Sequence, residues 1–273
     1  MKKLFFTLFL AALFIGITRI RTDGFSPTAI EGPLTEQITP FSAEAKAALS
    51  QPYRYLGKGR QCFVFASEDQ KYVVKFFNQR YLQVPWYAFL SSQERAKRAQ
   101  RQHFYEHSYE IAFRELGEEI LYLHMGRADL PLPSLSLRDK ANRTHHLDLN
   151  TFPFVLQKKG TPFYEGLEAV YAKEGLTGLC REIDAFAGAI SLRIAKHIAD
   201  ADQDIEHNWG YIDGRIFHLD PGRLYYDPQL KEPERLSQEW RSATHKFHRW
   251  LQKTHPDAIP HLEAICTTKK FTE

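Results

Sequence analysis

Asp213-Gly214 sits between two short runs of strand-forming residues, Trp209-Gly210-Tyr211-Ile212 and Arg215-Ile216-Phe217-His218-Leu219, and leaves the chain little freedom there. Asp-Gly supplies both positive-φ positions of a two-residue hairpin turn, so the register follows by counting outward. Ile212 pairs with Arg215, Tyr211 with Ile216, Gly210 with Phe217 and Trp209 with His218. Asn208 then faces the Leu219-Asp220 end, and an amide oxygen meets a carboxylate at one mouth of the hairpin. Two hard oxygen donors at a sheet edge suit Mg²⁺, which completes its shell with water and phosphate oxygens.

The chain can support such a site on a substantial core. Its 273 residues, 43% of them hydrophobic, are enough for one large core or two lobes. The formal charge of +3 is small for this length, and no basic run is interleaved with aromatics, so nucleic acid is not an expected partner. Cys62, Cys180 and Cys266 are odd in number and far apart, which excludes a disulfide framework and any CxxC motif. His103 and His107 share a helical face, but no glutamate follows His103 in the zincin arrangement and no third ligand stands nearby.

Lys2-Lys3 and the apolar run 4–17 make residues 1–21 a hydrophobic leader, either a signal peptide or a membrane anchor. The run is short for a bilayer span, and basic residues on both flanks give no orientation. The expected location is therefore membrane-associated or exported, with residues 4–17 as the membrane contact. Residues 22–45, rich in Gly, Pro, Thr and Ser, read as a linker.

The body opens with a strand around Arg54-Leu56, a glycine turn Gly57-Lys58-Gly59, a strand Cys62-Ala66, a polar turn, and a strand Tyr72-Phe77 that carries Lys75. Glycines one residue apart let backbone amides approach a phosphate, and a lysine on the following strand can reach it as a point charge. A plain hairpin with an exposed lysine would show the same residues.

Ser92 to Leu116 reads as a long helix stopped by Gly117, with Glu106 and Glu110 four apart on one face and Glu115 after them. The basic residues at its start follow an apolar packing segment, Val84 to Leu90. Leu130 to Ser134 and the polar run Arg138 to Thr144 mark a loop long enough to be an inserted hairpin, a place for specificity whose residues do not say for what. A second helix, Leu179 to Ile198, delivers the chain to an acidic cluster at Asp200, Asp202 and Asp204. One or two helices around Glu239 to Lys253 follow Asp220.

Taken in order, these residues resemble the protein-kinase-like superfamily. Leu56-Gly57-x-Gly59 with Val64 is similar to its glycine-rich loop, Val73-Val74-Lys75 to its third-strand lysine motif, Asn208 to its catalytic-loop metal ligand, and Leu219-Asp220-Pro221-Gly222 to its Mg²⁺-binding tripeptide. The resemblance covers roughly residues 50 to 225. It implies an α+β, two-lobed kinase-like fold, with a β-sheet lobe plus one long helix over 46–157 and a small, mainly helical lobe over 158–273. It further implies ATP and Mg²⁺ in an interlobe cleft, with Phe152 to Gly160 as the fifth strand running into the hinge and adenine at Gln157, phosphates at Gly57, Gly59 and Lys75, a helix glutamate pairing with Lys75 (Glu110 is the choice over Glu106 and Glu115), and metal at Asn208 and Asp220.

The departures bear on chemistry. Cys62 stands where the loop has a third glycine, and Gln203 stands five positions before Asn208, where the family has its base. A one-residue loop change brings Asp202 or Asp204 into that role, with Asp202 favoured. No Ala-Pro-Glu or long phosphorylatable segment follows, so the expected acceptor of phosphate is a small molecule, a lipid or another non-standard group. Two alternatives stand beside phosphoryl transfer: a pseudokinase acting as a binding or scaffolding module, and nucleotidyl transfer on the same fold.

Overall fold

A computed structural model describes residues 2–32, 34, 40–82, 92–117, 119–126 and 131–269 of a mixed α+β protein. The chain forms two compact units, Met1–Gln102 with Ile120–Lys159, and His103–Glu119 with Gly160–Glu273. The expected apolar segment Val84 to Leu90 lies outside the described residues, as do the side chains of His103 and Glu106.

The first unit begins with α1 (Lys2–Arg21), α2 (Pro27–Ile30) and α3 (Ala43–Ala48). Then come β1 (Tyr53–Lys58), β2 (Cys62–Ser67), β3 (Tyr72–Phe77), α4 (Gln79–Leu82) and the start of α5 (Ser92–Ile111). After α5 has run into the second unit, the chain returns as β4 (Ile120–His124), β5 (Ser134–Arg138), β6 (Thr144–Asp148) and β7 (Phe154–Lys158). The seven strands form one sheet in the order β4-β7-β3-β2-β1-β5-β6. β2 and β3 lie in its middle and are buried along nearly their whole length, which is why they read as continuous apolar runs.

The insertion marked by Leu130 to Ser134 and Arg138 to Thr144 is a hairpin, β5 and β6, that joins the main sheet. β5 and β6 pair antiparallel, and β5 runs parallel beside β1. Only Leu135, Leu137 and Leu147 mark its buried face, too few apolar positions among prolines and polar residues for a strand pattern to stand out. The turn is closed by Asp139, whose Oδ1 accepts the Arg143 N–H at 2.9 Å.

Residues 22–45, read from composition as a linker, bring Phe25, Ala29, Ile30 and Ala45 into the core of this unit. Phe25 meets Phe63 and Phe65 edge to face at 5.4 and 4.9 Å. The end of α1 is fastened as well: Asp23 accepts from Tyr55 Oη at 2.8 Å and from Lys140 Nζ at 2.8 Å. Phe6, Phe9, Leu13, Ile17 and Ile20 of α1 are exposed. Among the described residues no helix is long and apolar enough to cross a membrane.

In the second unit α5 runs on into a π-turn at Ala112–Leu116 and ends at Gly117, whose φ of 60° glycine adopts without strain. β8 (Thr161–Pro162) leads into α6 (Phe163–Ala195), broken at Gly175, then β9 (Ile198–Asp200) and α7 (Ile205–Asn208). β10 (Trp209–Ile212), β11 (Arg215–His218) and β12 (Leu224–Tyr226) precede α8 (Pro233–Thr254) and α9 (Ile259–Lys269).

The sequence reading carried the second helix on to Ile198, but His197 turns out at a φ of 56° and Ile198 starts a strand paired with β12. Trp240, Ala243, Phe247 and Leu251 form the buried stripe of α8. Phe247 packs against Phe163 and Phe186, and Phe186 in turn against Trp209, which ties the hairpin to both long helices.

Candidate functional site

β10 and β11 pair in the register that Asp213-Gly214 dictates, from Ile212 with Arg215 out to Trp209 with His218. Asp213 and Gly214 take φ of 51° and 75°, the two positive values a type I′ turn needs. Gly210 is required for a different reason: a side chain there would strike the Thr161 carbonyl of β8 and Leu219. Past Trp209 the ladder ends in a two-against-one arrangement, in which the Asn208 carbonyl accepts N–H groups from both Leu219 at 2.7 Å and Asp220 at 3.2 Å. Asn208 and Asp220 are thus brought together.

Both side chains keep oxygens to offer. Asn208 Nδ2 donates to the Asp202 carbonyl at 2.8 Å, which orients the amide and leaves Oδ1 with no protein donor among the described residues. Asp220 Oδ1 accepts the Tyr109 hydroxyl at 3.0 Å, and its second oxygen has no such donor. Tyr109 was not singled out in the sequence, although it lies one turn after Tyr105 on the buried face of α5. Neighbouring Ser108 donates to Leu224 O at 2.9 Å and fixes the same helix beside the strand after Asp220. The donor set, one amide oxygen and one carboxylate, fits Mg²⁺.

The three acids of the 200–204 cluster, alike in sequence, have different surroundings. Asp200 is buried; its Oδ1 accepts the Asp202 N–H at 2.8 Å. Burial pushes its carboxyl above the ordinary range, against the pull of Arg193 and His218. Asp204 is half-buried and committed, to His207 Nδ1 at 3.0 Å and Lys246 Nζ at 3.4 Å. Asp202 alone keeps its carboxylate clear of protein partners among the described residues, while its backbone holds Asn208.

Gln203, which occupies the family's base position, is turned into a brace. Its Nε2 donates to Asp200 O at 2.9 Å and to Glu239 Oε1 at 2.8 Å. Glu239, on α8 and 2% exposed, also accepts from the Asp200 N–H at 3.1 Å and from Arg193 Nη1 at 2.7 Å. Its other oxygen takes Arg235 at 3.0 Å, and Arg235 goes on to Asp227. Each charge in this interior chain faces an opposite one, the condition for burying it. In the sequence, Arg235 and Glu239 look like an ordinary solvated helical pair, so the brace left no signal.

In the first unit the expected glycine turn is split: Gly57 lies on β1 opposite Val64, where the β1–β2 register shifts, and only Gly59 lies in the turn that follows. Neither Gly57 nor Gly59 has a positive φ, and a side chain at Gly57 would meet nothing within 4 Å. Fold geometry therefore does not demand glycine at Gly57; what its missing side chain leaves is bare backbone. Lys75 lies on β3 between Val64 of β2 and Val155 of β7, 6% exposed. Gln157 lies on β7 and is buried, paired with Val73 and Ile120. Cys62, in the third-glycine position, is buried opposite Phe77.

Of the candidate glutamates, Glu110 pairs with Arg114 one turn on at 3.1 Å, and Glu115 with Lys196 at 3.4 Å. No protein-family model matches the chain, and no curated protein matches it.

Proposed function

We propose that the chain is an atypical phosphotransferase of the protein-kinase-like kind, with the two-lobed arrangement that implies, which binds ATP with Mg²⁺ and phosphorylates a small-molecule, lipid or other non-standard acceptor. The observation that carries this reading is Asn208. Its main-chain oxygen registers Asp220 and its side-chain amide registers Asp202, so one residue ties the metal-binding oxygens to the open carboxylate.

In this reading Asn208 Oδ1 and Asp220 hold Mg²⁺, which would offset charge on the β- and γ-phosphate oxygens. Lys75 takes phosphate as a point charge, with Glu110 to orient it, while Gly57 and Gly59, lacking side chains, let the phosphates come close to the backbone; the Gln157 strand end contacts adenine. Asp202 accepts the proton of the acceptor hydroxyl as its oxygen bonds to the γ-phosphorus; the bond from that phosphorus to the bridging oxygen breaks and ADP leaves. Asp204 is the other candidate base; its pairs with His207 and Lys246 favour Asp202 for the role. The exposed apolar residues of α1 support membrane attachment or export through residues 4–17.

A second reading, the pseudokinase acting as a binding or scaffolding module, is favoured by two observations: Cys62 buried where a third glycine is usual, and Glu110 paired with Arg114. Full-length protein given Mg²⁺ and ATP labelled at the γ- or α-phosphorus separates the readings. Release or transfer of γ-label is expected, with kcat cut by about 10²–10⁴ in Asp202→Ala and by much less in Asp204→Ala, whose loss falls mainly on KM for the acceptor. Transfer of α-label would replace the reading by nucleotidyl transfer, and bound nucleotide without turnover by the scaffold.

A further inference from the structure

α8 carries Lys246, Arg249, Trp250 and Lys253 at helical i, i+3, i+4 and i+7 spacing, a single stripe apart from its buried face. That stripe, with Tyr164 of α6 and Asp204 at the start of α7, walls an open cavity of about 460 Å³, all within the second unit. Pockets of several hundred Å³ with a rigid aromatic wall and a few convergent polar groups are the usual form of small-molecule sites. Here the wall is Trp250 stacked on Tyr164, with ring centroids 4.6 Å apart and planes 20° from parallel. Phe247 lies beneath both rings. Burial, with Glu206 and Asp204 nearby, raises the Tyr164 hydroxyl to about 12, so it stays protonated and able to donate.

The charges in this cavity do not cancel. Lys246 is answered by Asp204, but Arg249 and Lys253 are exposed and meet no acidic partner at ion-pair distance among the described residues. Glu206 is the only other acid in the lining. Two unanswered cations one turn apart, one a planar fork and the other a mobile point charge, suit a dianionic phosphate better than a single carboxylate. Asp204 also places the cavity in the sequence neighbourhood of the open Asp202 carboxylate, on a loop held rigid by Glu239.

We propose that this cavity is the acceptor site and that it takes a hydroxyl-bearing phosphate monoester. Arg249 and Lys253 hold the phosphate, Trp250 and Tyr164 hold the carbon skeleton, and the free hydroxyl is directed to Asp202. The assignment rests on the phosphotransferase reading for the fate of the hydroxyl, but not for the binding of the phosphate. A soluble sugar or polyol phosphate and the headgroup of a phosphate-monoester lipid share this chemistry.

The test is calorimetric titration of the full-length protein with glycerol 3-phosphate and with glycerol, and co-sedimentation with phosphatidylcholine vesicles with and without phosphatidic acid. Each is repeated on Arg249→Ala/Lys253→Ala, where both side chains are exposed and stability should hold. Expected is at least tenfold tighter binding of glycerol 3-phosphate than of glycerol, or a gain in vesicle binding specific to phosphatidic acid. Either preference disappears in the double variant, and the first outcome assigns a soluble acceptor and the second a lipid. No preference for phosphate in either arm, or a preference that survives the double variant, overturns the proposal. Thermal stabilisation by Mg²⁺ and ATP is read on the same samples: if it is absent while the cation-dependent phosphate binding remains, the acceptor pocket stands and the phosphotransferase reading falls.

Discussion

The acidic loop from Asp200 to Asn208 and the glycine segment from Gly57 on β1 to the turn at Gln61 both present backbone and polar groups from short stretches, yet they are held in opposite ways. The acidic loop is braced from a distant helix: Glu239 accepts from the backbone of Asp200 and the side chain of Gln203 while neutralising Arg193. The glycine segment is held by the ladder on either side of it, closed by the Gly59 N–H to the Cys62 carbonyl at 3.0 Å, with open space at Gly57. A group that must accept a proton or hold a metal gains from such bracing, because its position is then set before the ligand arrives. A segment that a phosphate is to approach, as proposed here, needs access more than rigidity.

Removing the brace should have the largest effect. Glu239→Ala leaves Arg193, which is fully buried, without its carboxylate, and the expected loss is about 3–5 kcal/mol in urea unfolding. A loss below about 1 kcal/mol would mean that the acidic loop is set by its own turns, contrary to the comparison.

The first unit has a buried carboxylate of its own in Asp139, and its contribution is read through pH. Burial pushes that carboxyl up, but hydrogen bonds from His145 and the Arg143 N–H outweigh burial and hold it below the ordinary range. A depressed folded value stabilises above the unfolded pKa, about 4, and the benefit is lost as pH falls further. Unfolding midpoints taken downward from about pH 6 should therefore fall more steeply for the native chain than for Asp139→Asn below about pH 4. Parallel curves would remove Asp139 as the closure of the β5–β6 turn.

The smallest effect belongs to the glycine segment. Gly57→Ala meets nothing within 4 Å and should change stability by no more than about 0.5 kcal/mol, while weakening binding of Mg²⁺ with ATP. Lost stability with unchanged nucleotide binding would show that glycine serves the fold there and not a ligand.

The same contrast explains what could be read from the amino-acid order. The β1–β2–β3 run, the long helix with its Gly117 stop and the β10–β11 register are fixed by local patterns of a few residues, so they were legible. Asn208 beside Asp220 followed from counting five residues outward from a turn. Tyr109 and Glu239 were not legible, because what makes them matter is a partner 111 residues away for Tyr109 and 39 for Glu239, and each looks ordinary on its own helix. The three acids at 200, 202 and 204 could be named together but not told apart: burial, openness and ion pairing separate them only once α8 is packed behind the loop. The β5–β6 hairpin was legible only as an insertion, not as two strands beside β1, since its few buried leucines are diluted by prolines and polar residues.

The central claim is that Asn208 and Asp220 hold Mg²⁺ for a bound nucleotide, and thermal unfolding of the full-length chain with ATP and Mg²⁺, beside Asp220→Ala, tests it most directly. Native-state binding at a hundredfold excess over Kd is worth about 2.7 kcal/mol, so a clear rise in Tm is expected for the native chain. That rise should depend on Mg²⁺ and vanish in Asp220→Ala. No shift at millimolar nucleotide, or an equal shift in the variant, would contradict the account.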